Sequence, residues 1–115
     1  MKRSAIARLT DILTMIDAAA DIVAGRTLAD NRMDLVMRLA VERCVEIVSE
    51  ASRHVPPDAK TRFPSVPWSE IAAVGNKLRH EYNRIDDLIL WKIATVSLPK
   101  LRPIIAAILS EASAG

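Results

Sequence analysis

Residues 76–84 gather the side chains of this chain that are best suited to proton transfer and to phosphate binding. They comprise the amide Asn76, the cations Lys77, Arg79 and Arg84, the histidine His80 and the only tyrosine, Tyr82. Histidine transfers protons near neutral pH, and arginine binds phosphate through two parallel hydrogen bonds. Cleavage of RNA without a metal needs an acid, a base and cations at the scissile phosphate. The segment therefore has the residue types of a metal-independent ribonuclease site.

Other kinds of site find little support in the sequence. The three glycines, Gly25, Gly75 and Gly115, are scattered, so no glycine-rich phosphate loop is present. The two histidines, His54 and His80, are far apart and neither lies in a metal-binding motif. We therefore expect neither a metal nor a cofactor.

The helical wheel divides the segment into two faces. At 100° per residue, Tyr82 shares a face with Leu78 and Gly75, whereas Asn76, His80, Lys77 and Arg84 lie on the polar side and Arg79 at its edge. His80 and Tyr82 cannot meet on a regular helix. Two alternatives follow: the helix ends or distorts near His80, or two protomers form a shared cleft.

Composition and periodicity predict an all-α protein. Half of the residues are apolar but only 3% are aromatic, which favours aliphatic packing between helices. Apolar residues recur at helical spacing along the chain. This pattern predicts one domain, 1–115, folded as an antiparallel bundle of four to five helices. The first predicted helix runs from Ile6 to Val23, with Leu9, Leu13, Ile16 and Ala20 on its apolar face and Gly25 as its stop. The second runs from Met33 to Ala51, and a loop follows from about His54 to Val66. The third helix runs from Pro67 to about Asn83, the fourth begins at about Asp86, and a final helix passes through Ile104 to Leu109 after a break or kink at Pro99 and Pro103.

The fourth helix is apolar around more than one face, from Leu88 to Leu98. Such a helix needs cover on two sides. One side is the bundle core, and a second copy of the chain is the simplest cover for the other. We therefore expect a homodimer.

Charge and cysteine content limit the possible binding partners and cellular location of the chain. Sixteen Lys and Arg residues against fourteen Asp and Glu give a net charge of +2, so RNA would have to bind a local patch. The single cysteine, Cys44, has valine neighbours and is predicted to be buried. Asp11, Asp17 and Asp21 interrupt any apolar core of a signal peptide. We expect a cytoplasmic protein that makes no use of a membrane.

The Asn76, His80 and Tyr82 pattern resembles that of the HepT-like family, the toxin half of a bacterial toxin–antitoxin pair within the HEPN superfamily of all-α ribonucleases. Glu50-Ala51 and Leu98-Pro99-Lys100-Leu101 extend the resemblance along the chain. It implies a homodimeric, HEPN-like bundle that cleaves RNA. It also implies a nucleotidyltransferase (MntA-like) antitoxin, of a kind that in some pairs attaches AMP to the motif tyrosine. Carried over, that modification falls on Tyr82.

The arginine of the family motif is missing. The family motif has four to six residues between its arginine and its histidine, and at those spacings before His80 the chain has Gly75, Val74 and Ala73. Arg79 lies one helical turn after Gly75, so we expect its side chain to extend towards the space of the missing arginine. In this interpretation His80 and Arg79 are catalytic, Lys77, Arg84 and Asn76 bind RNA phosphates, and Tyr82 is the modification site.

A second interpretation stays open for each residue. Lys77, Arg79 and Arg84 could be solvated charges, Tyr82 a core residue, and Gly75 a point of close helix approach. Asn76 could orient His80 or face water. The chain would then be a catalytically silent helical dimer that binds a nucleotidyltransferase or RNA without cutting it.

Overall fold

The computed structural model describes residues 1–81 and 86–114, and these contain helices and no strand. The elements are α1 (Arg3–Val23), α2 (Leu28–Met33), α3 (Leu35–Ser52), α4 (Pro57–Arg62), α5 (Trp68–His80), α6 (Asp87–Lys92), a π-helical segment (Ile93–Ser97) and α7 (Leu98–Ala114). The all-α prediction is confirmed.

The core forms around α1, which packs against both α3 and α7. The most buried residues of α1 are Leu9, Ile12, Ala19 and Ile16. Leu13 and Ala20 were also predicted on this face, but Leu13 is half-buried and Ala20 is exposed. The helix ends at Val23, and Gly25 follows with a φ of 69°, a conformation that favours glycine.

A short helix, α2, precedes the second predicted helix. Its N-terminus is held by a reciprocal capping box, in which the Asp30 amide donates to Thr27 Oγ1 over 3.1 Å and the Thr27 amide donates to Asp30 Oδ2 over 2.8 Å. Met33 belongs to α2 and is 88% exposed. The prediction that Met33 begins the second helix is therefore wrong, because Asp34 caps a separate helix, α3. Cys44 on α3 is buried as predicted, and burial raises the pKa of its thiol.

The predicted loop between residues 54 and 66 contains α4. Proline at the first position of this helix, Pro57, costs no hydrogen bond, since an N-terminal amide has no partner within a helix. The helix buries Ala59 against the core. The prolines therefore delimit a helix here instead of preventing one.

The last predicted helices form one continuous helical run from α6 through the π-helical segment to α7. The Leu98 amide donates to the Ile93 carbonyl, five residues back, and Pro99 follows directly. Since proline has no N–H, the missing donor falls where the hydrogen-bond register changes. Pro103 lies inside α7, so the helix does not break there, and the alternative of a kink stays a prediction.

This run is also long and apolar enough, by length and composition, to span a membrane from Asp87 to Ala112. The core helix of a soluble bundle meets the same criterion. Here Leu90, Ala94, Leu98 and Ile105 of the run are buried in the shared core.

Candidate active site

Helix α5 carries the motif and ends at His80. Its start is anchored by the indole N–H of Trp68, which donates to the Phe63 carbonyl over 3.1 Å. Glu81 is the C-terminal cap, with its amide donating to the Lys77 carbonyl. The helix therefore ends at His80, short of the predicted Asn83. Whether His80 meets Tyr82 at this end, or only across two protomers, stays a prediction.

Two candidate residues lie outside the described residues. Tyr82 and Arg84 fall in the segment 82–85. Their assigned roles, modification and phosphate binding, stay predictions.

Gly75 lies at a close contact between α5 and α3. The Gly75 amide donates to Ser49 Oγ over 2.9 Å, and Ser49 Oγ donates to the Ala72 carbonyl over 3.1 Å. A Cβ atom at Gly75 would lie 2.5 Å from Ser49 Oγ and 2.7 Å from Ser49 Cβ. The family arginine could not occupy this position without a shift of α3 or a smaller residue at 49.

The two helices run antiparallel. Ala72 lies beside Ser49 and Arg53, late in α3, whereas Gly75 lies beside Glu46, one turn earlier. The His80 end of α5 therefore points towards the start of α3. Leu78 and Gly75 are the buried residues of α5, facing α3.

Arg79 extends towards α3 and is paired there. Its Nη1 atom lies 3.6 Å from Glu50 Oε2, and its Nη2 donates to Asn76 Oδ1 over 3.2 Å. The same Glu50 oxygen lies 3.6 Å from Arg53 Nε. Arg53 also donates from Nη2 to the Ala72 carbonyl over 2.8 Å. The Glu50 carboxylate thus lies near two guanidinium groups. We call Glu50, Arg53 and Arg79 the arginine pair site.

His80 is exposed at the end of α5 and makes no hydrogen bond or ion pair to any described residue. Asn76 has Arg79 as its hydrogen-bond partner and does not bond to His80. Among the described residues the His80 side chain is therefore exposed and has no polar partner.

Lys77 lies on a different side of α5 from Arg79. It lines a groove of about 780 Å³ between α5 and the run from α6 to α7. Val45 and Val48 of α3 line this groove too, as do Ile71 and Val74 of α5. The structure therefore brings Arg79 and Asn76 together but places Lys77 apart from both.

No role was predicted from the sequence for Ser49, Glu50 or Arg53. Glu42, Glu46, Glu50 and Arg53 recur at helical spacing, and this charged pattern was the available signal for Glu50 and Arg53. The pairing of these two residues with Arg79 could not be predicted from the sequence. Among the described residues, no group of three His, Cys, Asp or Glu side chains could hold a metal ion.

Exposed apolar residues surround the start of α3 and α6. They are Met33, Leu35, Val36, Leu39, Leu88 and Ile89, which we call the apolar end surface. The three helices that carry them contact one another, and Arg32 of α2 lies 4.0 Å from Asp87 of α6. Because α5 ends towards the start of α3, this surface lies at the same end of the bundle as His80.

One carboxyl group at this end is perturbed. Burial raises the pKa of Glu42 on α3, Arg38 opposes the rise, and the nearby Asp87 and Glu46 add to it.

Comparisons with known proteins agree with the resemblance. The family model described as Ribonuclease HepT-like matches residues 12–108. The chain is 36% identical over 101 residues to the Methanocaldococcus jannaschii protein named "Putative RNase MJ1380", covering 88% of this chain and 93% of that protein. It is 35% identical over 102 residues to "Probable ribonuclease HepT" of Thermococcus cleftensis, covering 89% of this chain and 93% of that protein. No solved structure matches the chain. The chain belongs to the HepT-like ribonuclease family, whose model matches it from residue 12 to residue 108.

Proposed function

We propose that this chain is a homodimeric endoribonuclease, the toxin of a toxin–antitoxin pair, which cleaves RNA without a metal. The observation that carries the proposal is His80, exposed at the end of α5, with Arg79 one residue away and held against α3. In this mechanism a histidine accepts the proton of the ribose 2′-hydroxyl. The 2′-oxygen attacks phosphorus, the bond to the 5′-oxygen breaks, and an acid protonates the leaving oxygen.

The second protomer supplies the other half of the site. The apolar end surface offers a self-complementary interface at the end of the bundle that carries His80. Met33 is 88% exposed and Val36 is 76% exposed, and apolar side chains this exposed favour association. Two His80 residues would then share the acid and base roles across the interface, with Arg79, Lys77 and Arg84 binding phosphates.

An antitoxin nucleotidyltransferase neutralises the toxin in this proposal by attaching AMP to Tyr82. Incubation with such a partner and ATP should add one AMP to the wild-type chain and none to Tyr82→Phe, as read by intact-mass spectrometry. Addition to the phenylalanine variant would contradict the assignment of Tyr82.

The contact between Gly75 and Ser49 favours a second candidate, a catalytically silent dimer. It leaves no room for the arginine that the family motif has at this position. In that case the chain binds a nucleotidyltransferase or RNA but leaves RNA intact.

Purified protein incubated with end-labelled RNA in excess chelator separates the two candidates. The nuclease should give fragments that end in a 2′,3′-cyclic phosphate. Intact RNA, together with retained binding to the nucleotidyltransferase or RNA, would establish the silent dimer instead.

A further inference from the structure

We infer that the arginine pair site is an anion site for one RNA phosphate, and that Glu50 occupies it as an internal counterion. The inference rests on the proposed function, because it assigns a new contact to the same substrate. It adds Arg53 as an RNA-binding residue and Glu50 as a residue that limits RNA affinity.

The geometry is that of a carboxylate between two guanidinium groups. Arg53 Nε and Arg79 Nη1 both lie 3.6 Å from the same oxygen, Glu50 Oε2. A phosphate oxygen prefers the same donors as a carboxylate oxygen, since guanidinium N–H groups bind both. The side chains of Arg53, Arg79 and Glu50 are 44%, 39% and 47% exposed, so an RNA strand can reach them.

Both arginines are held in place by further contacts. The Arg53 side chain, at the end of α3, is held against α5 by its hydrogen bond to the Ala72 carbonyl. The Arg79 side chain is held by its hydrogen bond to Asn76. Neither of these bonds involves Glu50, so each guanidinium group keeps a hydrogen-bond partner when the carboxylate is displaced. Two fixed cations with one displaceable anion form a phosphate site of net charge +1.

Position also links the site to His80. Arg79 is adjacent to His80 in the chain, and the close contact at Gly75 fixes the distance of α5 from α3. An RNA strand that follows α5 back from His80 would therefore pass Arg79 and then Arg53, which lies beside Ala72.

Equilibrium binding to a fully 2′-O-methylated oligoribonucleotide tests the inference, because this RNA cannot be cleaved through its 2′ position. Glu50→Gln should tighten binding by about threefold, the size expected for an exposed ion pair. Arg53→Ala should weaken it and lower the slope of log K against log salt by about 0.7, the value for one phosphate contact on a single strand. Arg53→Lys should retain the slope and lose part of the affinity.

Glu111→Gln is the matched control for lost negative charge. Glu111 pairs with Arg62 on other helices, so its loss changes the net charge equally and should leave affinity within error. Thermal unfolding of each variant, followed by circular dichroism, checks that the fold is retained.

Weaker binding by Glu50→Gln would overturn the inference, since it would make Glu50 a support for RNA binding. Equal gains from Glu50→Gln and Glu111→Gln would also overturn it, because only net charge would matter. These readouts do not depend on cleavage. If the variants show the predicted order of RNA affinities but the wild type cuts no RNA, only the nuclease proposal is refuted.

Discussion

The hydroxyl of Ser49 lies in the space that a side chain at position 75 would need, 2.5 Å from a Cβ atom built on Gly75. Since that hydroxyl also bonds to both Gly75 and Ala72, it fastens α5 to α3. The motif-bearing helix is thereby held at a short distance from its neighbour. This contact is also where the chain departs from its family's motif.

Gly75→Ala should destabilise the fold. In an exposed helix the same change stabilises by about 0.5–1 kcal/mol, but here overpacking against Ser49 should cost about 1–3 kcal/mol. Urea denaturation measures whether the free energy of unfolding falls or rises. In a Ser49→Gly background the cost of Gly75→Ala should largely disappear, and an unchanged cost would show that Ser49 is not the obstacle.

Val36→Glu should shift the proposed dimer towards monomer. The substitution places a charge within the apolar end surface, where burial of an unpaired carboxylate opposes association. Sedimentation velocity over a concentration series measures the change. Val96→Glu is the control, because Val96 is exposed on the π-helical segment, outside that surface. Equal loss of dimer in both variants would place the interface elsewhere.

Arg79→Ala should reduce RNA cleavage more than Lys77→Ala. Arg79 lies in the arginine pair site, one residue from His80, whereas Lys77 lines the groove on another side of α5. Initial rates at subsaturating RNA report the loss of transition-state stabilisation. A larger loss in Lys77→Ala would shift the RNA path into the groove.

The ion pair between Asp17 of α1 and Arg102 of α7 should make stability depend on pH. Arg102 donates to both carboxylate oxygens over 2.7 and 3.0 Å, and these hydrogen bonds lower the pKa of Asp17 below its usual 3.8. A lowered carboxyl pKa stabilises the fold above the usual value, and this contribution is lost as the pH falls through the lowered pKa.

The wild type should therefore be more stable than Asp17→Asn at neutral pH, and the difference should shrink below pH 3.8. Denaturant unfolding at several pH values measures it. A difference that stays constant with pH would show that the charge of Asp17 is not involved.

Periodicity predicted the long helices because each buries one apolar stripe. It placed Leu9 and Ile16 in the core of α1 and Leu78 on the buried face of α5, and the structure agrees. The short helices were missed because six residues carry little periodicity. The capping box at Thr27 and Asp30 was the available signal for α2.

Contacts between helices could not be predicted from the sequence. The close approach at Gly75 was considered, but its partner Ser49 is 26 residues away in the chain. Arg79 was expected near the space of the missing arginine, and it does extend to α3, where it meets Glu50. Such pairings depend on how α5 is placed on α3, which local sequence patterns do not encode.

The most direct test of the account is the rate of RNA cleavage in excess chelator by the wild type, His80→Ala and His54→Ala. His54 is an exposed histidine outside the motif, so it controls for loss of an imidazole. The account predicts that His80→Ala loses cleavage while His54→Ala retains it, with both variants folded. Cleavage that persists in His80→Ala, or intact RNA with the wild type, would contradict it.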